Sequence, residues 1–187
     1  GLFFCAEDLI STIFYRGAFT QIDVLNSSYS LMAFSFGLPF FMLMKVLTPA
    51  FFARKDTKTP MYVAMVSLLL NACLNYYLAF MLDFGHIGIA LGSSIAALIS
   101  VLILEFILYK DGFIKIKSVF NRFNIMILFS SLSLILFLNF YTNLTNFIEF
   151  SQVERLLYLS IEVIISIIIY GAVSRLIQRK PIQTLFE

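Results

Sequence analysis

The residue with the clearest potential for chemistry is Lys45, a lysine between Pro39 and Pro49 in a long apolar stretch. At helical rise it lies about 13 Å before Arg54, deep enough that an ammonium must snorkel, pair or face water. Each proline lacks the N–H that a helix needs, so we expect an interrupted helix. Transporters use interrupted helices around substrate sites, although a packing kink is the alternative. We favour Lys45, Pro39 and Pro49 as part of a cavity for an anionic substrate, with snorkelling of Lys45 as the alternative.

A second polar set lies further along the chain. Ser67, Asn71 and Asn75 recur every four residues and form one stripe on a helix, and Ser93 belongs to the next apolar segment. Neutral oxygens of Asn71, Asn75 and Ser93 would form a cation site, which would be weak without a carboxylate beside it. The default interpretation is that these amides and hydroxyls bond across a helix–helix contact.

Small residues repeat at the same spacing opposite that stripe. Gly88, Gly92 and Ala96 are four residues apart, which places them on one helix face. Small side chains at this spacing let two helix backbones approach closely in a membrane. We therefore predict that these three residues serve helix packing.

The remaining ionisable residues do not form a catalytic or metal-binding pattern. Glu162 lies two turns after Arg155, and interfacial pairing is the expected role, with a proton relay or a lipid-headgroup contact as alternatives. A single histidine, His86, cannot make a metal site alone. No Walker loop, HExxH or GxSxG motif is present. We predict no enzyme, no catalytic residues, no metal and no resident cofactor.

The elements that carry these residues are long apolar segments. A helix needs about 20 apolar residues to cross about 30 Å of hydrocarbon. Transmembrane β-strands would instead alternate over about ten residues. The sequence predicts an all-α polytopic membrane protein with five full transmembrane helices and the tail of a sixth at Gly1–Tyr15. The five predicted spans are Val24–Phe52, Met61–Leu82, Ile87–Leu108, Phe123–Tyr141 and Leu156–Val173.

Composition supports the same class. Of 187 residues, 60% are hydrophobic and 13% are charged, and the mean hydropathy is +0.93. Soluble domains carry about 25% charged residues, so this chain lacks a polar shell. These values exclude an ordinary soluble enzyme and a disordered chain. The net charge of +2 is too small for a nucleic-acid binder.

The basic residues predict an orientation. If the spans alternate, ten lysines and arginines fall on one side, against Arg16 and Arg155 on the other, with Lys45 inside a span. Such a bias marks the cytoplasmic side, so we expect a cytoplasmic C-terminus. The chain begins inside an apolar stretch, and we expect a fragment of something longer. The ten residues are Arg54, Lys55, Lys58, Lys110, Lys115, Lys117, Arg122, Arg175, Arg179 and Lys180.

Three stretches carry a family resemblance. They are FYRGAF at Phe14–Phe19, KVLTPAFFARKDTKTP at Lys45–Pro60 and GHIGIALGSS at Gly85–Ser94. In this order they resemble the C-terminal half of the MurJ (MviN) family of lipid II flippases. That family belongs to the multidrug/oligosaccharidyl-lipid/polysaccharide exporter superfamily. The match is specific through about Leu98 and agrees beyond it only in the number and length of spans.

The resemblance implies the last part of a fourteen-helix fold, from the ninth helix to the fourteenth, in the bacterial cytoplasmic (inner) membrane. Residues 1–108 would form the transport core of the C-terminal lobe, with a partial helix and three spans. Residues 109–187 would form the last two helices, which border a groove for the lipid tail, and a cytoplasmic tail. Lys45 best matches a cavity position, and transport is coupled in the family to a cation (Na⁺ or H⁺) or to the membrane potential.

The implied function is translocation of lipid II, the undecaprenyl-linked peptidoglycan precursor, from the inner to the outer leaflet by alternating access during cell-wall biosynthesis. The implied partners are this precursor, membrane lipids and the missing N-terminal lobe. The alternative is another exporter of the superfamily, namely an O-antigen or polysaccharide-lipid flippase or a drug/cation antiporter. A membrane enzyme acting on polyprenyl lipids would need clustered acidic or histidine residues, which the sequence does not suggest.

Overall fold

The computed structural model describes residues 1–113, 122–144 and 150–178, and within them all regular structure is helical. This confirms the predicted all-α class: four of the five predicted spans each lie in one long helix, and the span Met61–Leu82 runs through an α-helix and a π-helical turn to Met81. The helices are α1 (Ala6–Phe14), α2 (Gln21–Ala53), α3 (Lys58–Tyr76) with a π-helical turn at Tyr77–Met81, α4 (Gly85–Lys110), α5 (Arg122–Leu144) and α6 (Gln152–Gln178).

Four helical segments are long and apolar enough to cross a membrane: Gln21–Ala53, Lys58–Met81, Gly85–Lys110 and Gln152–Arg175. Helix α5 has 23 residues, which corresponds to about 34 Å. Its part from Ser130 to Thr142 is an apolar helix. The short helix α1 has nine residues and occupies the predicted tail of a sixth span.

Helix α2 is continuous through both prolines, so the expected interruption is wrong. A proline removes one backbone hydrogen bond and leaves the rest of the ladder intact, and membrane helices tolerate this because no water competes for the remaining bonds. Both prolines are exposed in this chain. The structure therefore gives Pro39 and Pro49 no role as helix breaks.

The turn between α2 and α3 is built by local hydrogen bonds. At the end of α2, Lys55 adopts the left-handed conformation (φ 60°), and the Asp56 N–H donates to the Phe51 carbonyl at 3.1 Å. This pattern satisfies helix-end carbonyls in the manner of a Schellman motif. The chain thereby reverses direction within a few residues, between two membrane helices.

Asp56 also caps the start of α3. Its Oδ1 accepts hydrogen bonds from the backbone N–H groups of Lys58 and Thr59, each at 3.1 Å. Thr59 followed by Pro60 is a sequence typical of a helix start, but α3 begins one residue earlier, at Lys58. Hydrogen bonds from the side chain and backbone of Thr59 lower the pKa of Asp56, with smaller contributions from Lys58 and the Arg54 charge.

The chain divides into two compact units. The central unit comprises the described residues 25–113, which hold most of α2 with α3 and α4, together with Leu2. The terminal unit comprises Gly1, Phe3–Val24 and the described residues 122–144 and 150–178, and it holds α1, α5 and α6. The functional division after Leu108 stays a prediction, because compactness does not assign a role in transport.

The central unit packs around α4. A cluster of buried apolar residues joins α2, α3 and α4, and half of the most apolar stretch of α4 is buried. Burial of such side chains contributes dispersion contacts that lipid tails would otherwise supply. The buried cluster consists of Leu47, Phe51, Val63, Val101, Leu104 and Leu108.

Candidate functional site

The predicted small-residue face of α4 lies directly against α3 and its π-helical turn. A Cβ atom at Gly88 would lie 2.7 Å from the Leu78 carbonyl carbon and 2.8 Å from the Ala79 nitrogen. A Cβ atom at Gly92 would overlap the Asn75 side-chain oxygen. Because real Cβ atoms do not approach so closely, both positions need glycine for this packing. Ala96, further along the face, is 1% exposed.

The structure brings Asn71, Asn75 and Ser93 together in one hydrogen-bond chain. The Asn75 Nδ2 donates to Asn71 Oδ1 at 2.7 Å, and the Asn71 Nδ2 donates to Ser93 Oγ at 3.2 Å. The Asn75 Oδ1 is buried and has no hydrogen-bond partner. The arrangement therefore bonds α3 to α4 with neutral groups and leaves one amide oxygen unsatisfied.

Ser94 makes a further link that the spacing did not single out. Its hydroxyl lies 2.8 Å from the Ala33 carbonyl oxygen on α2 and 3.0 Å from the Ala90 carbonyl oxygen on its own helix. Gly37 packs on Ser94, since a Cβ atom at Gly37 would overlap this hydroxyl. In the sequence, the only indication of this contact is a glycine in α2 and a serine in α4. It can be recognised only when the pairing of these two helices is known.

A cavity of about 820 Å³ lies between α2, α3 and α4 within the central unit. Its walls are mostly apolar, with a few hydroxyl and amide groups, which is the usual character of a ligand pocket. The Asn71 side chain belongs both to this wall and to the hydrogen-bond chain. Lining residues include Met44, Thr48, Met61, Ser67, Asn71 and Ser100.

Lys45 lies on an exposed face of α2 rather than in that cavity. Together with Pro49, Phe41, Met44 and Thr48 it lines a smaller groove of about 430 Å³. Pro39 does not line this groove. In the described part of the chain Lys45 forms no ion pair, so its ammonium remains available to an anion.

Arg54 fastens the end of α2 to the end of α4. Its Nη2 donates to Asp111 Oδ2 at 2.6 Å, and its guanidinium lies 4.1 Å from the Phe113 ring centroid. Planar stacking and a charged hydrogen bond together hold the arginine in one geometry. The two helix ends are therefore joined on the side that carries the basic turn.

The terminal unit contains three buried ionisable residues, Asp8, Arg155 and Glu162. Arg155 is 6% exposed, and its Nη1 donates to the carbonyl oxygens of Ser11 at 3.4 Å and Tyr15 at 3.3 Å. Glu162 is 0% exposed and accepts a hydrogen bond from Cys5 Sγ at 3.0 Å. The expected interfacial pairing of Glu162 is therefore wrong, because the side chain points into the contact between α6 and α1.

Comparison with known proteins gives consistent matches. A family profile described as lipid II flippase MurJ matches residues 1–170. The lipid II flippase MurJ of Thermosipho africanus is 40% identical over 106 residues, covering 57% of this chain and 22% of that protein. The lipid II flippase MurJ of Burkholderia cenocepacia is 32% identical over 133 residues, covering 71% of this chain and 25% of that protein.

A solved structure of lipid II flippase MurJ in an inward closed conformation is similar with a TM-score of 0.72 and 30% sequence identity. The similarity covers 95% of this chain and 34% of that one. The chain thus spans between 22% and 34% of the length of these proteins. Because the profile extends over residues 1–170 of 187, the chain belongs to the lipid II flippase MurJ family.

Proposed function

We propose that this chain forms part of a lipid II flippase that moves the undecaprenyl-linked peptidoglycan precursor from the inner to the outer leaflet by alternating access. The match of the family profile over residues 1–170 carries the proposal. The helices provide apolar surface, packing contacts and a cavity, which suits movement of a lipid without covalent chemistry. The relatives and the solved structure named above are lipid II flippases, which supports this function over another exporter of the superfamily.

Growth of a flippase-depleted bacterium tests this proposal. The intact protein should restore growth and rod or coccal shape in cells that no longer make their own flippase. A Gly88→Leu variant is the matched control, because the added side chain would overlap the backbone at Leu78 and prevent the helix contact. Failure of the intact, membrane-inserted protein to restore growth would contradict the proposal.

The proposed location is the cytoplasmic (inner) membrane, with a cytoplasmic C-terminus and the rest of the protein, including an N-terminal lobe, as partner. The basic turn after α2 and the basic ends of α4 and α6 support this orientation. Maleimide labelling of a cysteine placed at Lys55 should require permeabilised cells, whereas a cysteine placed at exposed Arg16 should react in intact spheroplasts. The opposite pattern would overturn the orientation.

We propose that Lys45 contributes positive charge to the path of the anionic precursor. Its exposed ammonium beside Pro49 supports this role. Lys45→Ala should abolish complementation while insertion and abundance stay unchanged, and Lys45→Arg should retain part of the activity because it keeps the charge. Normal growth with Lys45→Ala would remove the role.

We further propose that Asn71, Asn75 and Ser93 offer neutral oxygens to a coupling cation, with the unsatisfied Asn75 Oδ1 as one ligand. The absence of charge predicts weak binding. If the site is used, sodium should accelerate flipping by the parent and not by Asn71→Ala. Equal sodium dependence, or equal sodium independence, in both proteins would exclude this coupling and leave a proton or the membrane potential as the energy source.

A further inference from the structure

Two carboxyl groups lie together inside the terminal unit. Asp8 on α1 is 5% exposed and Glu162 on α6 is 0% exposed. Cys5 connects them, because its thiol donates to Glu162 Oε1 at 3.0 Å and it precedes Asp8 by one helical turn. Both acids are therefore buried at the same contact between α1 and α6. The transport function proposed above uses neither of them.

The pair lies well inside the membrane helices. Arg155 at the start of α6 contacts the Tyr15 carbonyl oxygen at the end of α1, which sets the two helices antiparallel. Asp8 lies seven residues before Tyr15, and Glu162 lies seven residues after Arg155. Both carboxyl groups are therefore about 10 Å deeper than that contact, at matching depth.

Each carboxyl group has one oxygen without a hydrogen-bond partner. Asp8 Oδ2 and Glu162 Oε2 are both buried and unpaired. Neither residue forms an ion pair in the part of the chain that the structure describes. The hydroxyls of Ser11 and Thr12 do not help, because they donate to the Asp8 backbone oxygen at 3.0 and 2.6 Å.

The other titratable groups nearby do not neutralise the pair. Glu7 adds a further negative charge next to Asp8, and Tyr141 on α5 interacts with both acids. The Arg155 guanidinium is directed to backbone oxygens and stacks on the Tyr15 ring at 4.6 Å. The site thus contains an excess of negative charge if both acids are ionised.

Two ionised carboxylates in a buried, low-dielectric contact repel each other, and each also loses its hydration. If one of the two carboxyl groups binds a proton, the repulsion between two negative charges is removed. The protonated group also gains an O–H that can donate a hydrogen bond. Aspartic protease dyads share a proton for this reason. A metal ion would need more ligands, and no group of three or more His, Cys, Asp or Glu side chains in the described residues is arranged to hold one.

We propose that Asp8 and Glu162 form an intramembrane proton-binding site, at which at least one of the two buried carboxyl groups holds a proton. Binding of this proton does not depend on transport. Its use as a coupling ion would rest on the proposed flippase function, whereas the site itself rests only on the contact between α1 and α6.

Infrared spectroscopy of the intact protein in lipid nanodiscs tests the site. At pH 7 the parent should show a carboxylic-acid C=O band that moves to lower frequency in D₂O. Each single variant, Asp8→Asn or Glu162→Gln, should shift or weaken this band, because the remaining acid then faces an amide. The double variant Asp8→Asn/Glu162→Gln should lose it. Asp83→Asn, at an exposed position, should leave the band unchanged.

Absence of the band in the parent at pH 7 would overturn the proposal without any variant, so a folding defect cannot obscure the result. Survival of the full band in the double variant would overturn it as well. If both single variants left the band unchanged in position and intensity, the two acids would not form a proton-binding site. All three results are independent of lipid II flipping, so they would leave the proposed function intact.

Discussion

The central and terminal units both bury polar groups between helices, but the chemical types of these groups differ. In the central unit the buried polar contacts are amides and hydroxyls, such as the chain from Asn75 through Asn71 to Ser93. In the terminal unit they are a thiol, two carboxyl groups and a guanidinium, with Glu162 fully buried. Neutral contacts keep the same strength across physiological pH, whereas ionisable ones change with protonation. The comparison suggests a unit built for fixed packing and a unit able to change its charge.

Glycine substitutions should show the largest difference between the units. Gly88→Ala in the central unit places a Cβ atom against the Leu78 and Ala79 backbone, which cannot rotate away, and should cost about 1–3 kcal/mol of stability. Gly171→Ala in the terminal unit meets no atom within 4 Å and should be neutral or stabilising by up to about 1 kcal/mol. Thermal unfolding in detergent measures both effects. Equal unfolding temperatures for Gly88→Ala and Gly171→Ala would contradict the expected difference between the two units.

Removal of one polar group should have opposite consequences in the two units. Asn71→Ala leaves the Asn75 amide without its acceptor and should destabilise by about 1 kcal/mol. Glu162→Gln keeps an oxygen acceptor for Cys5 and removes one of the two buried acids that compete for the proton, so stability at pH 7 should stay level or rise. The same unfolding assay compares them. A clear loss with Glu162→Gln would show that the carboxyl group stabilises the fold as an ion.

The ion pair between Arg54 and Asp111, which joins the ends of α2 and α4, should contribute less to stability than the contacts above. A double-mutant cycle of Arg54→Ala and Asp111→Ala should give a coupling of at most about 1 kcal/mol, because both side chains are partly exposed. The coupling should fall as salt is added. Arg54→Lys should retain the charge and lose the stacking on Phe113. A coupling well above about 1 kcal/mol that does not change with salt would contradict the description of this contact as a partly exposed ion pair.

The smallest effect should come from the cap of α3. Hydrogen bonds that lower the pKa of Asp56 stabilise the folded state above the ordinary aspartate pKa, and this contribution is lost as pH falls through the lowered value. Asp56→Ala should therefore unfold more easily than the parent at pH 7 and equally at strongly acidic pH. A difference that persists in acid would mean that Asp56 acts by some other contact.

The helices were predictable because hydropathy is a local property of the chain. The spans, the α4 small-residue face and the neighbours Asn71 and Ser93 follow from apolar runs and a four-residue spacing. Their pairing across α3 and α4 is also local, since a short turn joins the two helices.

The terminal unit was less predictable because its contacts are distant in sequence. Cys5 and Glu162 are 157 positions apart, so no rule of residue spacing connects them. The sequence also does not indicate that Asp8 is buried, because its burial depends on the packing of α1 against α6. The local errors have a physical origin as well. Asp56 caps α3 because its carboxylate reaches the N–H groups of Lys58 and Thr59, and α2 continues through Pro39 although the proline lacks one backbone donor.

Movement of fluorescent lipid II across proteoliposomes tests the central claim most directly. The intact protein, inserted and folded, should expose lipid II from the inner leaflet to an external quencher faster than protein-free vesicles do. Vesicles with the Gly88→Leu variant serve as the control for folding and packing. A rate with the parent protein equal to that of empty vesicles would contradict the assignment of this chain to a lipid II flippase.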